Sequence, residues 1–238
     1  KSSLTFAPEA GSQRLRNVIN KGLTEEVILN GAGMAFEGGW NKVKLYFMLG
    51  LPTETEDDMR AIAELANKIA VRYYEIPKEE RNGKCQITIS TSFFVPKPFT
   101  PFQWAGMYRE EDFVEKAKVV KSEIRAQLNQ RSIRYSWHEP DVTILEGFLA
   151  RGDRRCSKVI LRAYEKGAIY DAWSESFDYN IWKESFAETN TDIDFYTLRE
   201  RSTDEILPWD FIDAGVTKKF LIHEWEQAKK ETVTPNCR

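Results

Sequence analysis

The chain has 238 residues, 42% of them hydrophobic, enough to bury one substantial core or one core with a smaller appended unit. Its formal charge of -3 comes from many charges of both signs, so no basic stripe advertises a phosphate backbone as partner and nucleic acid is unsupported. No apolar run approaches the ~20 residues that span a bilayer, and no basic-then-apolar leader opens the chain, which predicts a cytoplasmic protein without a membrane partner.

The chain opens at Lys1 rather than a methionine, directly on the strand-like run SSLTFAP, as expected of a piece whose upstream part is missing. Three β-patterned runs are predicted in the first hundred residues: Ser3 to Ala7, Val43 to Leu49 and Ile87 to Val95. In the second, Val43, Leu45, Phe47 and Leu49 alternate with residues that are partly apolar, as for a strand covered on both faces. Between the runs lie helical stripes. Met59, Ile62, Ala63, Ala66 and Ile69 share one face behind a Thr55 cap and the acidic first turn Glu56, Asp57 and Asp58. Phe113, Ala117, Val120, Ile124 and Leu128 form a longer stripe. Strand and helix alternating at a spacing of about 40 residues predicts parallel β/α units of an α/β fold. Three units are too few to close a barrel, which typically takes about eight strands, so the missing strands are expected upstream.

After about residue 130 the character changes. RYSWHEPDV reads as a short strand and turn, and helical patterns follow around 140–150, 153–166, 178–188 and 217–230. Residues 1–130 are therefore expected to form the β/α part and 131–238 an α-rich extension holding Trp137, Trp173, Trp182, Trp209 and Trp225.

Ligands of parallel β/α folds bind outside the carboxyl ends of the strands. The segments at those positions are PEAGS (8–12), GLPTETEDD (50–58) and PKPFTPFQW (96–104). Glycine admits close backbone approach, proline stiffens an extended loop, and Glu9, Thr53 and Glu54 add polar groups. Alone, a Gly-Leu-Pro turn is an ordinary strand exit and Glu9 an ordinary surface or capping carboxylate; three such loops at one rim form a set.

The runs SLTFAPEAGSQRLRNVINKGLT, KLYFMLGLPTETEDDM and ITISTSFFVPKPFTPFQW resemble the fourth, fifth and sixth barrel strands of radical S-adenosylmethionine (SAM) enzymes, in particular the subfamily with an upstream cobalamin-binding domain. The resemblance continues through SWHEPDVTILEGFLARGDRRCSKVI, AWSESFDYNIW and LPWDFIDAGVTKKFL. It implies the carboxyl-terminal half of a partial, TIM-like (β/α)6 barrel that binds SAM beside a 4Fe–4S cluster, where reductive cleavage gives a 5′-deoxyadenosyl radical. By the same resemblance Glu9 and Ser12 match the polar pair near the ribose of SAM. Leu49, Gly50 and Pro52 match the segment against the adenine, and Phe94 and Val95 the sixth-strand backbone that also meets it. Arg14 and Arg16 fit less securely, because a helix of this kind also needs solvated basic residues. The family's CxxxCxxC cluster loop has no counterpart: Cys85, Cys156 and Cys237 are isolated, and the chain alone is expected to be inactive, completed by the other half of the barrel in the same polypeptide.

Other residues admit two readings. His138, Arg154 and Arg155 could face a polar or anionic substrate, or Asp153 could be an N-cap with the arginines as a solvated face. His138 and His223 lack the spacing of a metal pair. Trp173, Phe177, Tyr179 and Trp182 read as packing residues of a helical layer before they read as a base- or cobalamin-stacking surface. A stand-alone protein- or RNA-interaction module on a half barrel is the alternative function. A hydrolase built on His138, Glu139 and Asp153 lacks a nucleophile elbow and a second base.

Overall fold

A computed structural model of the protein describes residues 2–235. Its centre is a four-stranded, wholly parallel sheet in sequential order: β1 (Leu4–Glu9), β2 (Lys42–Leu49), β3 (Gln86–Phe93) and β4 (Ile133–Trp137). The three expected runs are present, and the short run after residue 130 adds β4 along β3. Helices α1 (Gln13–Val18) and α2 (Glu25–Glu37) lie between β1 and β2, α3 (Glu56–Tyr74) between β2 and β3, and α4 (Glu110–Ala126) between β3 and β4.

The α3 stripe forms as its spacing requires, with Met59, Ile62, Ala63, Ala66 and Ile69 all buried. Thr55 and Asp58 close a reciprocal capping box at its start, satisfying two amides that would otherwise lack partners. Helix α4 buries Phe113, Ala117, Val120 and Ile124 but stops at Ala126, which leaves Leu128 88% exposed and outside the stripe.

The sheet is covered on one face. Val43, Leu45, Phe47, Leu49, Ile87, Ile89, Thr91 and Phe93 are buried, and Phe93 stacks on Phe113 of α4 with ring centroids 4.5 Å apart. The opposite side of β2, with Lys42, Lys44 and Tyr46, is exposed, so the double coverage expected of this strand is not what the fold builds. The long aliphatic stem of a lysine and the ring of a tyrosine imitate apolar patterning in a sequence while remaining at home in water.

One compact unit contains the chain to Phe94, Glu111–His138 and the segment from His223 onward; a second contains Val95–Glu110 and Glu139–Ile222. The second unit is helical: α5 (Pro140–Arg151), α6 (Ser157–Glu165), α7 (Tyr179–Glu188) and α8 (Ile193–Thr197). Leu145, Phe148, Val159, Ala163, Trp182, Phe186 and Tyr196 form its core, with Phe148 edge-on to both Phe186 and Tyr196. Helix α9 (Lys218–Lys229) begins in this unit and ends in the first. No helix among the described residues is long and apolar enough to cross a membrane.

Candidate functional site

The carboxyl ends of the four strands gather Glu9, Leu49, Gly50, Phe94 and His138 on consecutive, hydrogen-bonded neighbours. The Phe94 amide donates to the Leu49 carbonyl at 2.8 Å, and the His138 amide donates to the Thr91 carbonyl at 3.0 Å. Val95 is 8% exposed and opens the second unit.

Beyond β1 the backbone bends sharply. Glu9 sits at φ 66°, and its carboxylate, half-buried, accepts from Lys21 Nζ at 3.2 Å. Gly11 follows, and a Cβ there would lie 2.6 Å from the Asp58 carbonyl oxygen and 2.8 Å from the Ala61 carbonyl carbon. Only glycine lets the β1 exit press on the α3 backbone in this way. Ser12 caps α1 by accepting from the Leu15 amide at 3.0 Å and donates its hydroxyl to Asp58. Its proton and its capping lone pair are thus engaged in holding α1 to α3.

Asp58 joins these loops. It accepts from Ser12, from the Arg14 guanidinium, from the Thr55 amide at 2.8 Å and from the Thr55 hydroxyl at 2.7 Å. Burial pushes the Asp58 carboxyl up, but the bonds from Arg14, Ser12 and Thr55 together outweigh it and leave it below the usual aspartate value. Arg14 also reaches the Thr53 carbonyl at 2.8 Å, so one guanidinium spans the exits of β1 and β2. Arg16, for which a contact near SAM and a solvated position were both open, is fully buried and donates to the carbonyls of Ala10, Gly11 and Leu23 at 2.9–3.0 Å. Carbonyls left unpaired by the loop accept the charge that water would otherwise hold.

The β2 exit is built around Gly50 at φ 83° and Thr53 at φ 66°, with Leu51 buried between them and Pro52 half-buried. Glu54 is almost completely enclosed, 1% of its side chain exposed, and accepts from the Gly50 amide at 2.9 Å and from Lys116 Nζ at 2.9 Å. Burial raises the Glu54 carboxyl above its ordinary value; Lys116 and the Gly50 amide only partly oppose that. The Gly-Leu-Pro turn is therefore held from beneath by a buried ion pair, with Leu49 and Leu51 packed into the core.

His138 is exposed where β4 ends, and Arg154 is exposed in the second unit. Arg155 makes a two-pronged ion pair with Asp153 and lies over the rings of Phe195 and Tyr196. Asp153 caps the short 3-10 turn Arg154–Cys156, as the plainer sequence reading had it. The second unit also holds a guanidinium cluster that no residue spacing announces. Arg151, fully buried, donates to the Ala105 and Arg199 carbonyls, and Arg201 donates to the Arg151 carbonyl at 2.6 Å. Desolvation, aided by Arg201 and Arg199, lowers Arg151 to about 9. Among the aromatics, Trp182 is buried with its indole N–H on Asp171 at 2.8 Å, whereas Trp173 is 57% exposed beside Tyr170.

The open face of the sheet was missed as a site. Pairing aligns Thr5, Lys44, Thr88 and Arg134 in one row, Tyr46, Ser90 and Ser136 in the next, and Met48 and Ser92 beyond. The signal lies in the polar residues at alternate positions, Lys42 and Lys44 in KVKLYFML and Gln86, Thr88, Ser90 and Ser92 in QITISTSF, which is unusual for parallel strands because those are normally covered on both faces.

No three His, Cys, Asp or Glu residues among the described residues gather as metal ligands. Cys85 and Cys156 are buried, burial pushes the Cys85 thiol up to about 12, and Cys237 lies outside the described residues. An iron–sulfur cluster takes several thiolates in one small sphere, which these two isolated thiols do not supply.

No family model and no solved structure matches the chain. It is 37% identical over 158 residues, 66% of its length, to an uncharacterized protein of the archaeon Methanocaldococcus jannaschii. The chain spans 32% of that relative's length, and the relative's name carries no activity.

Proposed function

We propose that this chain supplies the carboxyl-terminal half of the SAM-binding barrel of a radical SAM enzyme, together with a helical extension. The observation that carries the reading is a sequential parallel sheet with one polar, uncovered face and, among the described residues, no strand beyond the edges of β1 and β4. A parallel sheet left open on one side and at both edges is what a barrel segment looks like without its other strands. In that arrangement β1, β2 and β3 take the fourth to sixth positions, β4 adds a strand beyond the six expected, and the open face becomes the interior.

The rim fits the adenosine part of SAM. The half-buried Pro52 offers apolar surface, the turn at Gly50 gives backbone access, and the half-buried Glu9 offers a carboxylate for hydroxyl groups. Ser12 and Glu54 act as positioning residues, the first through the α1 cap and the second through the Gly50 amide. The cysteines described here do not fit a 4Fe–4S cluster, so its ligands are assigned to the part of the polypeptide outside this chain, as is any cobalamin-binding domain. In the family resembled, SAM beside such a cluster supplies the radical; the residues of this chain bind and orient. A cytoplasmic location belongs to the same proposal.

Calorimetric titration with S-adenosylhomocysteine tests it. Weak binding, lost in both Glu9→Ala and Gly50→Val, is the expected result, since the methionine part lacks its cluster anchor. Micromolar binding untouched by either change places the ligand elsewhere and removes the assignment. Exposed Tyr164, Tyr170 and Trp173 favour the second reading, a protein- or RNA-interaction module; quenching of Trp173 fluorescence by single-stranded RNA without any nucleoside binding would support it.

A further inference from the structure

We infer that the open face of the sheet recognises an anionic substrate, holding its phosphate or carboxylate oxygens between Lys44 and Arg134. The inference rests on reading this face as the barrel interior and adds to it the chemistry of what the interior receives.

Charge and register carry the argument. Lys44 of β2, Thr88 of β3 and Arg134 of β4 are direct neighbours in one cross-strand row, with Thr5 of β1 at its end. At about 4.8 Å between strands, the Lys44 and Arg134 backbones stand about 10 Å apart with the Thr88 hydroxyl between them. Lys42, in the preceding row beside Gln86, adds a third cation about 7 Å along β2. The four strands carry one acidic residue, Glu9, and it is paired with Lys21. Elsewhere in the same unit Arg14, Lys21, Arg60, Lys68, Arg72 and Lys116 each contact a carboxylate, whereas scattered surface cations such as Lys84 and Arg125 do not. Among the described residues Lys42, Lys44 and Arg134 contact none, although nothing about their position on an open strand prevents a carboxylate from being placed opposite.

Apart from Met48 and Gln86, the rest of the face carries hydroxyl groups. Ser90 and Ser136 share a row with Tyr46, and Ser92 lies in the row nearer the rim. These hydroxyls can rotate to donate to whatever oxyanion the cations attract, and the guanidinium can grip two oxygens at once. Cations spaced across a ladder of hydroxyls on rigid strands suit an oxygen-rich anion and repel a cation or an apolar guest. A cobalamin edge or a flat aromatic ligand would call instead for the aromatic residues this face lacks apart from Tyr46.

Titration of the chain with inorganic pyrophosphate, with citrate as the carboxylate arm, followed by backbone amide NMR, tests the inference and separates the two anion types. Saturable, salt-sensitive shifts centred on Lys44, Thr88 and Arg134 are expected. The double variant Lys44→Gln/Arg134→Gln should weaken binding at least tenfold, whereas Lys118→Gln, on a helix surface, should leave it unchanged. All three positions are exposed, so the fold is expected to survive, with circular dichroism as the check. Equal affinity in the double variant, shifts centred elsewhere, or no saturation would overturn the inference. Loss of S-adenosylhomocysteine binding in the parent chain, with the pyrophosphate site intact, would instead remove the radical SAM reading and leave the anion site standing.

Discussion

The two faces of the sheet share the same backbone and the same hydrogen bonds, yet one carries Val43, Leu45, Phe47 and Leu49 and the other Lys42, Lys44, Tyr46 and Met48. The covered face holds the unit together against α3 and α4 by removing apolar surface from water, each large side chain contributing about 1.5–3 kcal/mol. The open face contributes little to that sum. The contrast separates the side chains that fold this unit from those free to meet something else.

The largest effect is expected from Phe47→Ala, on the covered face, which should cost about 3–5 kcal/mol in urea unfolding. Tyr46→Ala, its neighbour on the open face, should cost under about 1 kcal/mol. Equal losses would mean that the open face is packed as tightly as the covered one.

Gly11→Ala should cost about 1–3 kcal/mol, because its methyl group meets α3 backbone that has no rotamer to yield. The same substitution at Gly22, where a Cβ meets nothing and only the positive φ is strained, sets the reference for backbone strain without a clash.

Next come the two rim carboxylates, Asp58 and Glu54, which titrate in opposite senses. The folded value of Asp58 is depressed, so its contribution is present above the ordinary aspartate pKa of about 3.9 and is lost as pH falls through the folded value. The folded value of Glu54 is raised, so its contribution is complete below about 4.3 and is lost as pH rises through the folded value. Carbon-detected NMR titration should therefore find Asp58 ionising below the ordinary range and Glu54 above it. Stability profiles should flatten on the acid side in Asp58→Asn and lose the opposite slope in Glu54→Gln.

The smallest change in stability is expected for Lys44→Gln, within about 0.5 kcal/mol by urea midpoint. A lysine that stabilised the sheet would show more.

Much of the first unit was legible from the order of residues alone. The α3 stripe and its Thr55 cap follow from spacing, and the parallel strands from the alternation of β and α patterns. What escaped depended on partners distant in the chain. Leu128 continues the α4 period but lies past the last helical turn, and Arg16 reads as a surface cation until the Ala10, Gly11 and Leu23 carbonyls are seen around it. Glu54 looked like one polar group in a loop because its partner, Lys116, arrives a whole β/α unit later. The row of Lys44, Thr88 and Arg134 is invisible for the same reason: each sits in its own strand as an ordinary polar residue, and only the register makes them neighbours. Of the candidate site, the rim segments could be read because their glycines and prolines mark strand exits, whereas Ser12 acquires its structural duty only through Asp58.

Backbone amide NMR of the parent chain with and without S-adenosylhomocysteine tests most directly whether the open face and its rim form the ligand side of this sheet. Shifts are expected at Gly50, Phe94 and Glu9 that extend onto Ser90 and Ser92 and leave the covered side, including Gly33 and Arg72 in the cleft beside α2 and α3, unchanged. Shifts centred on Gly33 and Arg72, with Gly50 and Ser90 silent, would contradict it.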